Sequence, residues 1–384
     1  MKVAIVTESF LPQVNGVTNS VLRILEYLSA QGHEALVIAP ESTDGPSRYA
    51  GFRIKRIPSL AMKGLIPVAL PQKTLEPLLE GFCPDVIHLA SPIFLGSYVA
   101  KIAKRMDIPT LSVYQTDIAG FARHYGLTIA HSQLRKWVAK IHMQTSRTLA
   151  PSSWSCRDLE SSGVKNVHLW QRGVNSERFN PAHRNEELRK QWTQGNSEKK
   201  IVGYVGRLAN EKRIDDLAVL DKRPDVQLVI VGEGPARSKL ERELPNAIFL
   251  GFQGGEDLSR VYASLDIFVH TGKHETFCQS IQEALASGIP VIAPNTGGPT
   301  DLVAQGNAGY LIDTAQPLEM LSAFTSMIAR SDFEQMREIA RASVISRTWE
   351  SVNNQLLNHY TELIALEKER KNPSLSHMRR ELVA

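Results

Sequence analysis

Residues 266–298 read DIFVHTGKHETFCQSIQEALASGIPVIAPNTGG, and this stretch decides the fold. Ile267 to Val269 is a short apolar run of strand character, and a polar loop, Thr271 to Glu275, follows it. From about Cys278 to Ser287 the spacing predicts a helix, with Ile281, Ala284 and Leu285 on one face. Gly288 is placed to end that helix, and Pro290 to Ala293 form a second buried strand. Strand, loop, helix and strand in this order are the unit of a parallel sheet. Two acids punctuate it, Glu275 before the helix and Glu283 within it, eight positions apart. Taken alone, they read as a surface acid and a solvated helix acid. The loop also offers unpaired amides at a helix N-terminus, where a phosphate or a sugar can be held.

Outward from this stretch the same alternation continues. VAIVTE, ALVIAP, FRIKRIP, DVIHLA, TLSVYQT, TLAPS and NVHLWQRGV read as strands of a first half, with a helix from about Thr18 to Gln31. IVGYVG, VQLVIVGEGP, AIFLGF, LDIFVH, PVIAP and GYLID read as six strands of a second. Strands alternating with helical segments predict doubly wound parallel sheets with helices on both faces. At 384 residues there is chain enough for two such domains, each with its own core. We expect them at 1–173 and 174–349, with a last helix over about 350–370 returning to the first and a mobile charged tail at 371–384.

Composition narrows the class. A hydrophobic content of 42% and a charged content of 22% are those of an ordinary globular protein. The net charge of +4 suits phosphorylated ligands or an anionic membrane surface without establishing either. Cys83, Cys156 and Cys278 show no metal spacing, which points to a reducing cytoplasm. MKVAIVTESF reads as a first strand rather than a signal peptide, and no run has the length of a membrane span.

Three further segments carry polar groups at strand ends, where ligands collect in open parallel sheets. SFLPQVNGVTNSV places Asn15 and Gly16 just before a helix, although a plain strand-to-helix turn reads equally well. YQTDIAGFARHYG brings Gln115, Asp117, Arg123, His124 and Tyr125 after the fifth strand. GRLANEKRIDDL sets Arg207 and Lys212 in a loop between a strand and a helix, with Gly206 allowing close approach, an arrangement suited to a diphosphate. Gly232 ends the strand after that. In HSQLRKWVAKIHMQTS, Leu134, Trp137, Val138 and Ile141 fall at helical spacing beside Arg135, Lys136 and Lys140. Such a helix either packs on its own sheet or lies in a headgroup layer.

Glu275 and Glu283 with their spacing, and Arg207 with Lys212, resemble two motifs of the retaining glycosyltransferases of family four, E-x7-E and G-R-x-x-x-x-K. RGVNSERFN is similar to the family's G-V-D-x-x-x-F linker, with Asn175 in the acidic position. The resemblance implies the GT-B fold, two facing Rossmann-like domains with the site in the cleft between them. It implies that Glu275 meets the transferred sugar and Glu283 the nucleotide ribose. It also implies that Phe277, Cys278 and Gln279 offer amides to the sugar and diphosphate, and that Arg207 and Lys212 hold the diphosphate. Gly16 and Gly232 would border the donor, at its phosphate and base. Asn15, Gln115, Asp117, Arg123 and Tyr125 would face the acceptor, with Asp117 the preferred polar contact. The chain departs from the family in two places. Thr276-Phe277-Cys278 replaces the usual G-F-G, and Gln115 stands where many members have a histidine.

No D-x-D pair is placed to hold a metal, so neither metal nor other cofactor is expected. Retention would follow from attack on the face the nucleotide leaves, the departing phosphate taking the acceptor proton. Within the family the opening and the YQTDIAGFARHYG stretch look most like actinobacterial α-mannosyltransferases. Those use GDP-mannose and act on glycolipids such as glucuronosyl diacylglycerol. This implies a lipid-linked acceptor, an anionic membrane surface, no nucleic-acid partner, and a place at the inner face of the plasma membrane. Sulfoquinovosyl-type transferases with a UDP donor share the opening pattern, and a nucleotide-sugar-binding protein without turnover is a third reading.

Overall fold

The computed structural model describes residues 1–13, 15–42, 44–60, 68–69, 72–115, 128–303 and 306–372. The chain forms two compact units, Met1–Gln171 with the chain from Glu350 onward, and Arg172–Trp349.

In the first unit the strands are β1 (Lys2–Thr7), β2 (Glu34–Pro40), β3 (Arg48–Tyr49), β4 (Phe52–Ile57), β5 (Ser59–Leu60), β6 (Val68–Ala69), β7 (Val86–Ala90), β8 (Thr110–Val113), β9 (Arg147–Ala150) and β10 (Val167–Leu169). Eight of them make one sheet in the order β10-β9-β8-β7-β1-β2-β4-β3, while β5 and β6 form a separate antiparallel pair. The main sheet is parallel except at its edge, where β3 pairs antiparallel with β4 through Arg48–Arg53 and Tyr49–Phe52. That edge hairpin is too short to show as an apolar run. The expected strand NVHLWQRGV stops at Leu169, because Trp170 turns into the core and donates from Nε1 to the Val352 carbonyl at 2.9 Å. The last helix, Trp349–Lys371, buries Val352, Leu356, Tyr360 and Leu363 against Val3, Ile5, Leu111 and Val113.

β1 is the switch point, with β2 on one side and β7 on the other. Both helices that start beside it carry their own caps. Asn15 accepts from the Thr18 amide at 3.0 Å and donates to Ser9 Oγ at 2.7 Å, starting the helix Gly16–Ala30. Glu8, buried at the end of β1, accepts from the Ile93 and Gly96 amides at 2.9 and 3.0 Å, at the start of the helix Leu95–Arg105. Burial pushes the Glu8 carboxyl above its ordinary range, against the pull of these amides.

The amphipathic helix covers Thr128–His142. Val138 and Ile141 are buried, Trp137 packs on Phe94 with ring centres 5.5 Å apart, and Arg135 pairs with Asp158 at 2.6 Å. Its apolar stripe thus packs within its own unit, and only Lys136 and Lys140 of the three cations are exposed. Among the described residues no helix is long and apolar enough to cross a membrane.

The second unit holds β11 (Lys200–Val205), β12 (Val226–Val231), β13 (Ile248–Gly251), β14 (Ile267–Val269), β15 (Val291–Pro294) and β16 (Gly309–Ile312). They form one wholly parallel sheet in the order β13-β12-β11-β14-β15-β16. Two apolar layers sandwich it, one around Phe268, Ile281 and Leu285, the other around Tyr204, Ile230 and Phe324. Strand order reverses between β11 and β14, so the loops leaving these two strands lie side by side. Those are the loops bearing Arg207 with Lys212 and Glu275 with Cys278.

Candidate active site

After β11 the chain does not pass directly into a helix, as the pattern suggests. It makes two 3-10 turns, Asn210–Lys212 and Ile214–Leu217, before a four-residue helix, Ala218–Asp221. Arg207 pairs with Glu211 four residues on, and its side chain stays about half exposed. Lys212 points to the neighbouring loop, where its Nζ meets Glu275 Oε1 at 2.5 Å. The two loops are laced together a second time, since Thr271 donates from Oγ1 to the Lys212 carbonyl at 2.6 Å.

His270, the first residue past β14, completes the cluster. Its amide extends the sheet to the Ile292 carbonyl at 2.9 Å, and its Nε2 lies 3.2 Å from the same Glu275 oxygen. The imidazole stacks on Tyr204 with ring centres 6.0 Å apart and planes 12° from parallel. Burial alone would raise the Glu275 carboxyl. The Lys212 ammonium and the His270 ring outweigh it and hold that carboxyl well below the usual range. Burial likewise works to lower His270, but the Cys278 sulfur and the Glu275 carboxylate carry it to about 9. Lys212 is also raised, Glu275 overcoming its desolvation. The Lys212 ammonium and the Glu275 carboxylate thus hold one another in their charged forms.

The loop itself is shaped by its backbone. Gly298 donates to the Glu275 carbonyl at 2.7 Å, and a Cβ at Gly298 would lie 2.3 Å from Phe277 Cα. Only glycine lets the two strands of chain come so close. Cys278 adopts φ +79°, the left-handed region, and opens the helix Gln279–Ala286 with no side-chain cap. The first amides of this helix are thus left to a ligand or water. Gln279 and Gln282 turn their side-chain amides away from the loop, donating to the Gly173 and Arg172 carbonyls at 3.1 and 2.8 Å. Further along, Glu283 accepts from the Tyr262 hydroxyl at 3.2 Å, and burial pushes its carboxyl up to about 7 despite that bond and nearby Arg178. Gly232, at φ +131°, ends β12 against Gly206, whose carbonyl oxygen would be 1.9 Å from an added Cβ.

The structure brings together Arg207, Lys212, Glu275, Phe277, Cys278, Gln279 and Glu283 around the switch point of one sheet, with Gly232 one strand further out. Asn15 and Gly16 start a helix in the other unit, and Gln115 is buried at the end of β8. Asp117, Arg123, His124 and Tyr125 lie outside the described residues. Sequence reasoning missed His270, whose only signal is a histidine closing an apolar strand five residues before an acid. It also missed that Lys212 and Glu275, drawn from different motifs, are partners.

A cation-lined loop pair at the switch point of a parallel α/β sheet, beside an uncapped helix start, defines a site of nucleotide-binding type in a chain of two such units. Comparison with known proteins takes the assignment further. Residues 14–178 match the family described as Glycosyltransferase Family 4, and residues 185–343 that described as Glycosyl transferases group 1. The chain is 47% identical, over 374 residues, to a GDP-mannose-dependent alpha-mannosyltransferase of Corynebacterium glutamicum, an alignment covering 96% of this chain and 90% of the relative. It is 27% identical to an alpha-monoglucosyldiacylglycerol synthase of Streptococcus pneumoniae, over 91% of this chain and 85% of that one. The crystal structure of Anabaena Alr3699/HepE in complex with UDP superposes with a TM-score of 0.77 at 18% identity, covering 94% of this chain and all of the other. The chain belongs to glycosyltransferase family 4 and has the GT-B fold, built from two Rossmann-like parallel-sheet domains.

Proposed function

We propose that this glycosyltransferase moves a mannosyl group from GDP-mannose, with retention at the anomeric carbon, onto a lipid-linked acceptor. The observation that carries the reading is the Lys212–Glu275–His270 cluster at the switch point of the second sheet. The choice of donor is supported by the 47% identity to a GDP-mannose-dependent enzyme, and a lipid acceptor by the likeness to a diacylglycerol glycolipid synthase.

In this reading Arg207 and Lys212 neutralise the leaving diphosphate, and no metal is required for turnover. The amides of Phe277, Cys278 and Gln279, at the uncapped helix start, receive the sugar and the diphosphate. Glu275, fixed from two sides as an anion, lies beside the sugar where positive charge develops at the anomeric carbon. Glu283 accepts from ribose hydroxyls. The departing phosphate takes the acceptor proton, so the chain supplies no base. Gly232 and its neighbours border the nucleotide base, and Gly16 the donor phosphate. Asn15, Gln115, Asp117, Arg123 and Tyr125 take the acceptor. Exposed Lys136 and Lys140 favour an anionic membrane surface, which the acceptor would share, at the cytoplasmic face.

A panel of nucleotide sugars against the purified chain, read by thermal shift and by transfer to a glycolipid, tests this. A donor at ~100 times its dissociation constant stabilises by ~2.7 kcal/mol. GDP-mannose should give the largest shift and the only efficient transfer. A larger response to a UDP-sugar overturns the donor assignment, and binding without transfer or hydrolysis overturns the enzymatic one.

A further inference from the structure

His270, Glu275 and Cys278 are, among the described residues, the one group of three whose ligand atoms lie within 4.8 Å of one another, a nitrogen, a carboxylate oxygen and a sulfur. Tetrahedral zinc bound through about 2.0–2.3 Å bonds sets its ligand atoms roughly 3.3–3.8 Å apart, so side-chain shifts of about 1 Å would close the three on one ion. Three features mark the cluster as more than crowding. The thiol occupies a backbone position that favours glycine, φ +79°, where a side chain is strained. Its sulfur lies 3.4 Å from a polar neighbour, Ser280 Oγ, at the uncapped start of a helix. His270 is only 2% exposed, yet its Nδ1 has no hydrogen-bond partner among the described residues, so the polar network is incomplete as it stands.

We propose that His270, Glu275 and Cys278 form an inhibitory binding site for a soft divalent cation of the Zn²⁺ type. A histidine nitrogen, a carboxylate and a thiolate are the ligand chemistry such ions select, and three protein ligands leave a fourth position to water. Binding releases the thiol proton and any proton on the coordinating ring nitrogen, and no electrons move. The ion must take Glu275 from Lys212, whose ammonium holds the same oxygen. Two consequences follow. Competition with Lys212 makes the site weaker than a structural zinc centre, and an occupied site withdraws from the reaction the carboxylate assigned to the sugar. Occupancy and turnover therefore exclude one another. The inhibitory part rests on the function proposed above; the binding part does not.

The experiment is a Co²⁺ titration of the full chain, cleared of metal and reduced with a non-thiol reductant, followed by absorption. Expected are tetrahedral d–d bands and a thiolate-to-cobalt charge-transfer band, saturating at one ion per chain and abolished by Zn²⁺. Cys278→Ser should remove the charge-transfer band, and His270→Ala should weaken binding at least about tenfold. Cys83→Ser and Cys156→Ser, at the other two thiols, should leave the spectrum unchanged. Thermal melts of each variant report whether it is folded. Should His270→Ala fail to fold, Glu275→Gln replaces it with the same expected loss. Absence of the band in the wild-type chain, or its persistence in folded Cys278→Ser, overturns the site. In a separate arm, Zn²⁺ should abolish glycosyl transfer reversibly, with EDTA restoring it. The Zn²⁺ midpoint in Cys278→Ser, relative to that variant's own metal-free rate, should rise about tenfold or more. A normal cobalt spectrum with zinc-insensitive transfer would overturn the inhibitory role alone. A normal spectrum in a chain that transfers nothing would count against the function instead.

Discussion

Lys212→Met keeps the aliphatic stem that packs near Gly272 and removes only the ammonium. In the ligand-free site that ammonium serves Glu275. In the reaction proposed above it would also serve a phosphate whose charge grows as the sugar departs. A unit charge about 4 Å from the ammonium gains roughly 4 kcal/mol at an effective dielectric of about 20. Arg207 and the helix amides share the load, so the loss in turnover should be on the order of 10²–10³, or about 2.7–4 kcal/mol. Stability responds as well. Breaking a fully buried pair costs about 3–5 kcal/mol. Lys212 and Glu275 keep 24% and 18% of their side-chain exposure, and His270 remains beside the acid, so the cost here should fall below about 3 kcal/mol. The assay is turnover at saturating donor, with a thermal melt on the same preparation. Adding Glu275→Gln to Lys212→Met should recover part of the lost stability and none of the lost turnover, because the orphaned charge is gone but the chemistry is not restored. A folded Lys212→Met within about tenfold of wild-type turnover would refute the assignment.

Other expectations follow from the same geometry. Glu283→Gln should mainly raise the donor Michaelis constant, by about 1.5–3 kcal/mol in binding, and leave turnover at saturation nearly intact. Glu275→Gln should do the reverse, lowering donor hydrolysis without acceptor as well; a titration with the nucleoside diphosphate alone separates the two. With the folded-state carboxyl of Glu283 raised from 4.5 to about 7, the folded chain holds an extra proton between those values. This group's contribution to stability therefore falls as pH rises across that window, and Glu283→Gln should flatten that part of the pH–stability curve. As Glu283 ionises, a form that Tyr262 and Arg178 favour, nucleotide affinity should rise through pH 7 more steeply in the wild type than in Glu283→Gln. Gly298→Ala should lower both melting temperature and turnover, since its Cβ would collide with Phe277 Cα. Neutralising Lys136 and Lys140 should weaken sedimentation with anionic vesicles by about 1 kcal/mol each, whereas neutralising Arg135, already paired with Asp158, should do less.

The two parallel sheets could be read from apolar runs and glycine punctuation, because a strand buried on both faces leaves an unbroken signature in composition. Glu275 and Arg207 could be read through the motifs that contain them. His270 could not, since a histidine closing DIFVH looks like any residue at the end of a strand until the fold sets β11 beside β14. The Lys212–Glu275 partnership is invisible for the same reason, its members being 63 residues apart and joined only by strand order. The left-handed turn at Cys278 was foreshadowed only by the glycine that the family pattern carries there. The basic helix shows where periodicity stops short. Its stripe of Leu134, Trp137, Val138 and Ile141 fits a membrane surface as well as the more frequent packing on its own sheet, and the side chains of Val138 and Ile141 went inward.

Glu8 gives the two halves of this chain different appetites. By filling the helix start beside β1 with a carboxyl group of its own, the first domain arrives already carrying the guest that such a place would otherwise invite. A phosphate approaching there finds the donors spoken for. The second domain leaves its corresponding helix start unfurnished. The first domain produced alone should be indifferent to nucleoside diphosphates, and Glu8→Ala, which vacates the Ile93 and Gly96 amides, should be the substitution that begins to make it hospitable.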